Sequence, residues 1–265
     1  MATVSVVLAT YNEEENLPIC LDSVKELVDE IIVVDGGSSD KTVEIARKYG
    51  AKAVITDNPP IFHINKQKAI DLASRDWILQ LDADEVVSSE LAREIKSEIL
   101  ASRRSGRNPK SETNGYWIPR KNWFLGRFLM KGGQYPDYTL RFYRRGKGRL
   151  PQKDVHEQAE VKGETGYLKE ALLHYPYKNL SSYLTKWDRY NDLLAGRIKE
   201  ELKSKDFVNK VLYSIGYIFI KPSHWFLTTY IRHKGFMDSW QGLTFSFFSA
   251  LRFPVSYIKC LKIKI

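Results

Sequence analysis

The sequence predicts an α/β protein with a mostly parallel central sheet, followed by a helical C-terminal region. Three observations predict it. Short apolar runs alternate with helical stretches through the first hundred residues, the rhythm of βαβ units with both sheet faces covered. Three of those runs end directly in polar clusters, at 10–13, 35–40 and 82–85, where ligands bind in such sheets. The last sixty residues then change character, becoming basic and rich in aromatics.

Taken in order, residues 3–9 (TVSVVLA) read as a buried strand. The polar turn Thr10-Tyr11-Asn12-Glu13 follows, then a helix to about Leu27, with Pro18 in its first turn. Residues 30–35 (EIIVVD) are a second strand, and Ser39 or Asp40 caps the helix 41–49 that Gly50 closes. A third strand covers 51–56, a helix 64–75, a fourth strand begins at Trp77, and a helix runs from Ser88 to about Ser102. Residues 103–114 (RRSGRNPKSETN) form a basic, polar connection. Beyond it, shorter strands separated by glycine-rich turns imply a mixed sheet. From Leu180 to about Lys205, apolar residues at helical spacing mark a long amphipathic helix.

The chain has 265 residues and a formal charge of +9. Residues 1–100 hold 10 Lys/Arg against 19 Asp/Glu, whereas residues 101–265 hold 31 against 13. Two such halves suggest surfaces with different partners. Cys20 and Cys260 lie near opposite ends with no Cys-x-x-Cys spacing, so a disulfide framework and a zinc site are not expected. The N-terminus enters a strand pattern directly, and no cleavable apolar leader is read there.

The run Trp77–Leu81 ends in Asp82-Ala83-Asp84. Strand alternation would turn Asp82 and Asp84 to one face, where the two carboxylates can share a divalent cation that meets substrate phosphates. No G-x-G-x-x-G and no Walker lysine is present. A metal site, a nucleotide-sized rim and a basic, aromatic remainder together suggest transfer from an activated phosphate donor.

Three stretches, VVLATYNEEENL (6–17), IVVDGGSSDKT (32–42) and WILQLDADE (77–85), resemble in order and spacing the family 2 glycosyltransferases of GT-A fold. YPDYTLRFYRR (135–145) and Val155-His156-Glu157 resemble a bacterial branch that adds sugars to lipopolysaccharide core or related lipid-anchored glycans. The resemblance implies an inverting transferase using a nucleotide-diphosphate sugar and Mg2+ or Mn2+. It implies that Thr10, Tyr11, Glu13, Asp35 and Ser38 hold the nucleotide, with Asp40 nearby. Asp82 and Asp84 would place nucleotide and metal, Asp84 as the more direct ligand, with His156 at the metal or diphosphate. Lys66 or Lys68 would reach a phosphate; many relatives carry Arg-Asn where this chain has Lys66-Gln67. Glu157 is the candidate base and Asp154 the second. Arg141 would bind donor or acceptor phosphate. Trp123 and Tyr138 suit stacking on an acceptor sugar, and equally suit a core.

These readings give a catalytic domain at 1–205, with a nucleotide half at about 1–102 and an acceptor half at about 115–205, and a helical region at 206–265. From Phe207 on there are 8 Lys/Arg and a single acid, Asp238. The longest stretch without a formal charge, 239–251, is too short to span a bilayer, so interfacial helices on anionic lipid are expected. A helical subdomain packed on protein is the other reading. The enzyme is then expected at the cytoplasmic face of a bacterial inner membrane, acting on a lipid-linked acceptor. A transferase acting on a soluble protein or peptide and a non-catalytic nucleotide-sugar-binding scaffold are the alternatives. The basic residues carry no nucleic-acid recognition motif.

Overall fold

A computed structural model describes residues 3–104, 113–152 and 158–263, with side chains of 102–104 excepted. It divides into two compact units, one of residues 1–120 with 137–174, the other of 121–136 with 175–265.

The first unit opens with β1 (Val4–Thr10), α1 (Leu17–Val24), β2 (Glu30–Asp35), α2 (Thr42–Lys48), β3 (Lys52–Ile55), α3 (His63–Leu72) and β4 (Trp77–Gln80). Then come β5 (Glu85–Val87), α4 (Ser89–Arg104), β6 (Gly115–Phe124), whose last residues reach into the second unit, and β7 (Arg127–Phe128), which lies there. The first unit resumes with β8 (Asp137–Arg144), β9 (Gly148–Arg149), β10 (Glu160–Val161), β11 (Thr165–Tyr167) and β12 (Leu172–His174).

The main sheet runs β3-β2-β1-β4-β8-β6-β12-β5. Its first four strands are parallel, carried by apolar runs such as Val6-Val7-Leu8 and Ile32-Val33-Val34 that are buried on both faces. From β8 onward the main path turns antiparallel, as the shorter strands of the second half implied. One core lies under α1 and α4, with Leu17, Leu21, Leu91 and Ile95 against Leu79 and Phe142. The other, with Ala69 and Ile70 of α3, covers the opposite face at Val7, Ile32 and Ile78.

Two departures from regular strand geometry shape the site. β4 stops at Gln80, so Asp82-Ala83-Asp84 forms a turn closed by the Glu85 N–H donating to the Asp82 carbonyl (3.0 Å). The expected same-face placement of Asp82 and Asp84 does not hold, because the two-residue period exists only inside a strand. The second departure is a bulge. Tyr116 pairs with Phe142 and Trp117 with Leu140, which leaves Arg141 as the extra residue on β8. Bulges of this kind re-aim a side chain.

In the second unit, α5 (Leu180–Lys203) begins at Asn179, whose side chain accepts from the Ser182 N–H in a reciprocal capping box. After it come α6 (Phe207–Ile215), a π-helix at Gly216–Ile220, α7 (Lys221–Phe226), a second π-helix at Leu227–Arg232 and α8 (Ser239–Lys262). Phe124, Tyr183, Phe245 and Phe248 form one small core, and Ala195, Ile198, Tyr217 and Tyr257 another. Among the described residues, no helix is long and apolar enough to cross a membrane.

Candidate active site

The loops after β1 and β2 are locked together. Thr10 Oγ1 donates to Asp35 Oδ2 (2.8 Å), and Ser38 Oγ donates to the same oxygen (2.7 Å). The N–H groups of Gly37 and Ser38 donate to Asp35 Oδ1 (3.0 and 2.7 Å). A carboxylate offers about four acceptor positions, and these four donors fill them. Buried Asp35 is therefore the organiser of this turn. Asn12, at φ 55°, receives the Ser39 N–H and donates its own N–H to Ser38. The Glu13 N–H donates to Thr42 Oγ1 (2.7 Å), and Asp40 accepts from the Glu14 N–H. Tyr11 stands exposed at the rim beside this frame.

Asp82 is held by two cations. Lys66, buried on α3, pairs with its Oδ1, and Arg141 Nη2 lies 2.6 Å from its Oδ2. The same Arg141 nitrogen is 3.1 Å from Glu85 Oε1. Arg120 extends the network to Glu85 (3.3 Å) and to Asp137 (2.7 Å). Glu85, fully buried, also receives the Asp82 N–H at 2.9 Å. The Cys20 thiol donates to the Asp82 carbonyl at 3.6 Å. Three carboxylates thus meet three cations, and the cluster is electrically neutral. Lys68, by contrast, turns to Thr56 Oγ1 (2.9 Å) and does not join the cluster. Tyr138 is exposed, edge-on to Tyr167 at 5.0 Å between centroids.

Burial alone would raise the Asp82 pKa, but the Arg141 and Lys66 charges outweigh it and hold the carboxyl well below the usual range. For Lys66, burial and the neighbouring Arg141 charge outweigh the attraction of Asp82 and Glu85, so its pKa is lowered. A folded value below the unfolded value of about 3.9 means that the Asp82 contribution to stability is complete above about pH 4. It is lost as the pH falls toward the folded value. Asp82→Asn is therefore expected to destabilise the fold at pH 7, with a deficit that shrinks below about pH 4. Urea denaturation of both proteins across pH checks this; a deficit unchanged down to about pH 3 would contradict it.

Asp84 points elsewhere. β12 runs antiparallel to β5 with His174 opposite Glu85, and His174 Nε2 lies 3.5 Å from Asp84 Oδ2. Among the described residues no cluster of three or more His, Cys, Asp or Glu side chains forms. Two protein donors, one carboxylate and one imidazole, nevertheless fit a divalent ion that draws its other ligands from phosphate oxygens and water. Both Asp82 oxygens are engaged by cations, Lys66 at Oδ1 and Arg141 at Oδ2, while Asp84 stands beside His174. His174 was not singled out from the sequence. Its only local signal is its position at the end of a short apolar strand. His156, Glu157 and Asp154 lie outside the described residues.

The sequence model of glycosyl transferase family 2 matches residues 5–170. The lipopolysaccharide core biosynthesis glycosyltransferase LpsC of Rhizobium meliloti is 28% identical over 267 residues, covering 94% of this chain and 90% of that protein. A TPR repeat-containing protein of Synechococcus elongatus is 46% identical over 99 residues, 37% of this chain, which spans only 25% of that relative. Among solved structures, the mannosyltransferase PcManGT from Pyrobaculum calidifontis, in complex with GDP-Man and Mn2+, superposes with a TM-score of 0.51 at 13% identity. That match covers 98% of this chain and 87% of the other, and is a likeness of fold.

Proposed function

The chain belongs to glycosyl transferase family 2 and has the GT-A fold, and from that premise we propose a metal-dependent, inverting transfer of sugar from a nucleotide-diphosphate donor to a lipid-linked glycan. The observation that carries the metal dependence is the charge balance. Lys66, Arg120 and Arg141 are matched by Asp82, Glu85 and Asp137, so the network brings no net positive charge to a diphosphate. The neighbouring Asp84 adds a negative one. A divalent cation held by Asp84 and His174 would reverse that sign and stabilise the charge that develops on the departing diphosphate.

The other residues supply position. The Asp35 turn fixes the loop from which Tyr11 presents its ring to the base, and Glu13 sits on the same frame. Lys66 and Arg141 hold Asp82 ionised and in place to accept from a ribose hydroxyl. Glu157 is proposed to take the proton of the attacking hydroxyl, with Asp154 as the second choice, which makes the reaction a single displacement with inversion. Similarity to LpsC along nearly the whole chain supports an acceptor of the lipopolysaccharide-core class. Such an acceptor would be met at the cytoplasmic face of a bacterial inner membrane.

Calorimetric titration with UDP, GDP, ADP and CMP tests the reading. One of them is expected to bind with Mn2+ and to lose that binding in EDTA. Binding indifferent to EDTA would remove the metal from the proposal, and no binding at all would remove the donor.

A further inference from the structure

A helix of a globular protein buries its apolar face and exposes its polar one, whereas α6 leaves an aliphatic face exposed. Val208, Val211, Leu212 and Ile215, spaced as one helix face, are all exposed, and Phe207 at its start is 80% exposed. No residue of α6 is buried. Toward its own unit it turns Tyr213, which packs against the small core around Tyr217 and whose hydroxyl donates to Glu201 (2.8 Å), and Ser214, whose hydroxyl bonds that of Tyr257. The exposed apolar surface continues into the following π-helix, where Phe219 is 65% exposed.

Lysines stand beside this surface, and the acids nearest to it, Glu201 and Asp206, are engaged by the Tyr213 hydroxyl and as the helix cap. Lys205 and Lys221 lie over the Tyr213 ring, 5.3 and 5.4 Å from its centroid, and Lys210 sits on α6 itself. The acid at the start of the helix, Asp206, is engaged as its cap, accepting from the Asn209 N–H. Asp238, the single acid beyond 207, is buried, accepts the Lys131 N–H at 2.7 Å and lies 3.5 Å from Arg127.

We propose that the outward face of α6 and the π-helix after it is a docking surface for an anionic lipid bilayer, its aliphatic and aromatic side chains lying among the acyl chains and its lysines among the headgroup phosphates. A contiguous apolar patch rimmed by cations fits this occupant. A second copy of the chain fits it less well, because a two-fold pairing through the patch brings two lysine-bearing rims together. With no membrane-crossing helix among the described residues, the face lies on the bilayer. The inference deepens, and rests on, the reading that the acceptor is lipid-linked.

The test is co-sedimentation of the full chain with vesicles of phosphatidylcholine alone or mixed with phosphatidylglycerol, in the absence of donor. The protein is expected to bind the mixed vesicles, less so as salt rises. The triple variant Val208→Ser, Leu212→Ser, Phe219→Ser should bind them at least about tenfold more weakly while its nucleotide titration with Mn2+ is unchanged. Should the triple variant fold poorly, Lys205→Glu with Lys210→Glu is expected to give the same loss through charge alone. Failure of the unaltered protein to bind mixed vesicles, or variants that bind as tightly, would overturn the proposal. So would self-association that the triple variant abolishes, which would assign the patch to a second copy. Because vesicle binding is read without donor and nucleotide binding without lipid, failure of the docking face is distinguishable from failure of the donor site.

Discussion

Replacing Asp84 with asparagine is expected to lower sugar transfer about a thousandfold while leaving the fold intact. Asp84 is partly exposed on a turn and is not among the carboxylates that pair with Lys66, Arg120 and Arg141, so asparagine keeps the shape there while removing the charge. What it removes is a carboxylate set beside His174, and with it half of the two-donor set proposed for the metal. Mn2+ affinity, followed by the broadening of its electron paramagnetic signal in the presence of nucleotide, should fall together with the rate. His174→Ala should weaken both in the same direction but less, since the carboxylate supplies charge where the imidazole supplies only a lone pair. Normal Mn2+ binding by the Asp84→Asn protein would show that the ion sits elsewhere.

Glu85→Ala should be the most damaging single change to stability, costing about 3–5 kcal/mol. Its carboxylate is fully buried, pairs with Arg120 and Arg141, and accepts the N–H of Asp82. Alanine leaves two guanidinium groups short of a counter-ion in a largely buried network, and removes the acceptor of the Asp82 N–H while the backbone bond of the turn remains. Glu85→Gln, which keeps the shape and an acceptor oxygen, should cost less. Chemical denaturation of the three proteins at neutral pH measures the difference. A loss below about 1 kcal/mol, the range of ordinary surface changes, would mean that the network contributes little to the fold.

The parallel half of the sheet was legible in the sequence because each of its strands is a continuous apolar run bounded by turn residues. The rim position of Thr10, Asp35 and Asp82 followed from the same pattern. What the pattern could not carry is geometry that depends on distant pairing. His174 reaches Asp84 through an antiparallel ladder joining residues 85–87 to 172–174, and no local spacing announces that partnership. Asp35 reads from the sequence as an acid at the end of a strand; the four donors around it, which make it the organiser of its turn, are not visible there. Asp82 and Asp84 read as a same-face pair only when strand alternation is carried four residues past the end of β4 at Gln80. In the C-terminal region, composition pointed to an interfacial surface. The uncharged run 239–251 stood out there, but part of it is packed, with Phe245 and Phe248 in the small core around Tyr183, while α6 carries its aliphatic face outward.

The extra residue in β8 has a consequence for how relatives of this chain can diverge. Had β8 one residue fewer, its ladder with β6 would run uninterrupted, and no guanidinium would be swung out of register toward Asp82. Substitution at that place can be compensated by a neighbour; deletion would repair the sheet and dissolve the site in the same step. The length of the segment between Asp137 and Arg144, more than the identity of any one residue in it, is therefore the mark by which to judge whether a related chain still keeps its acidic turn charged and clamped.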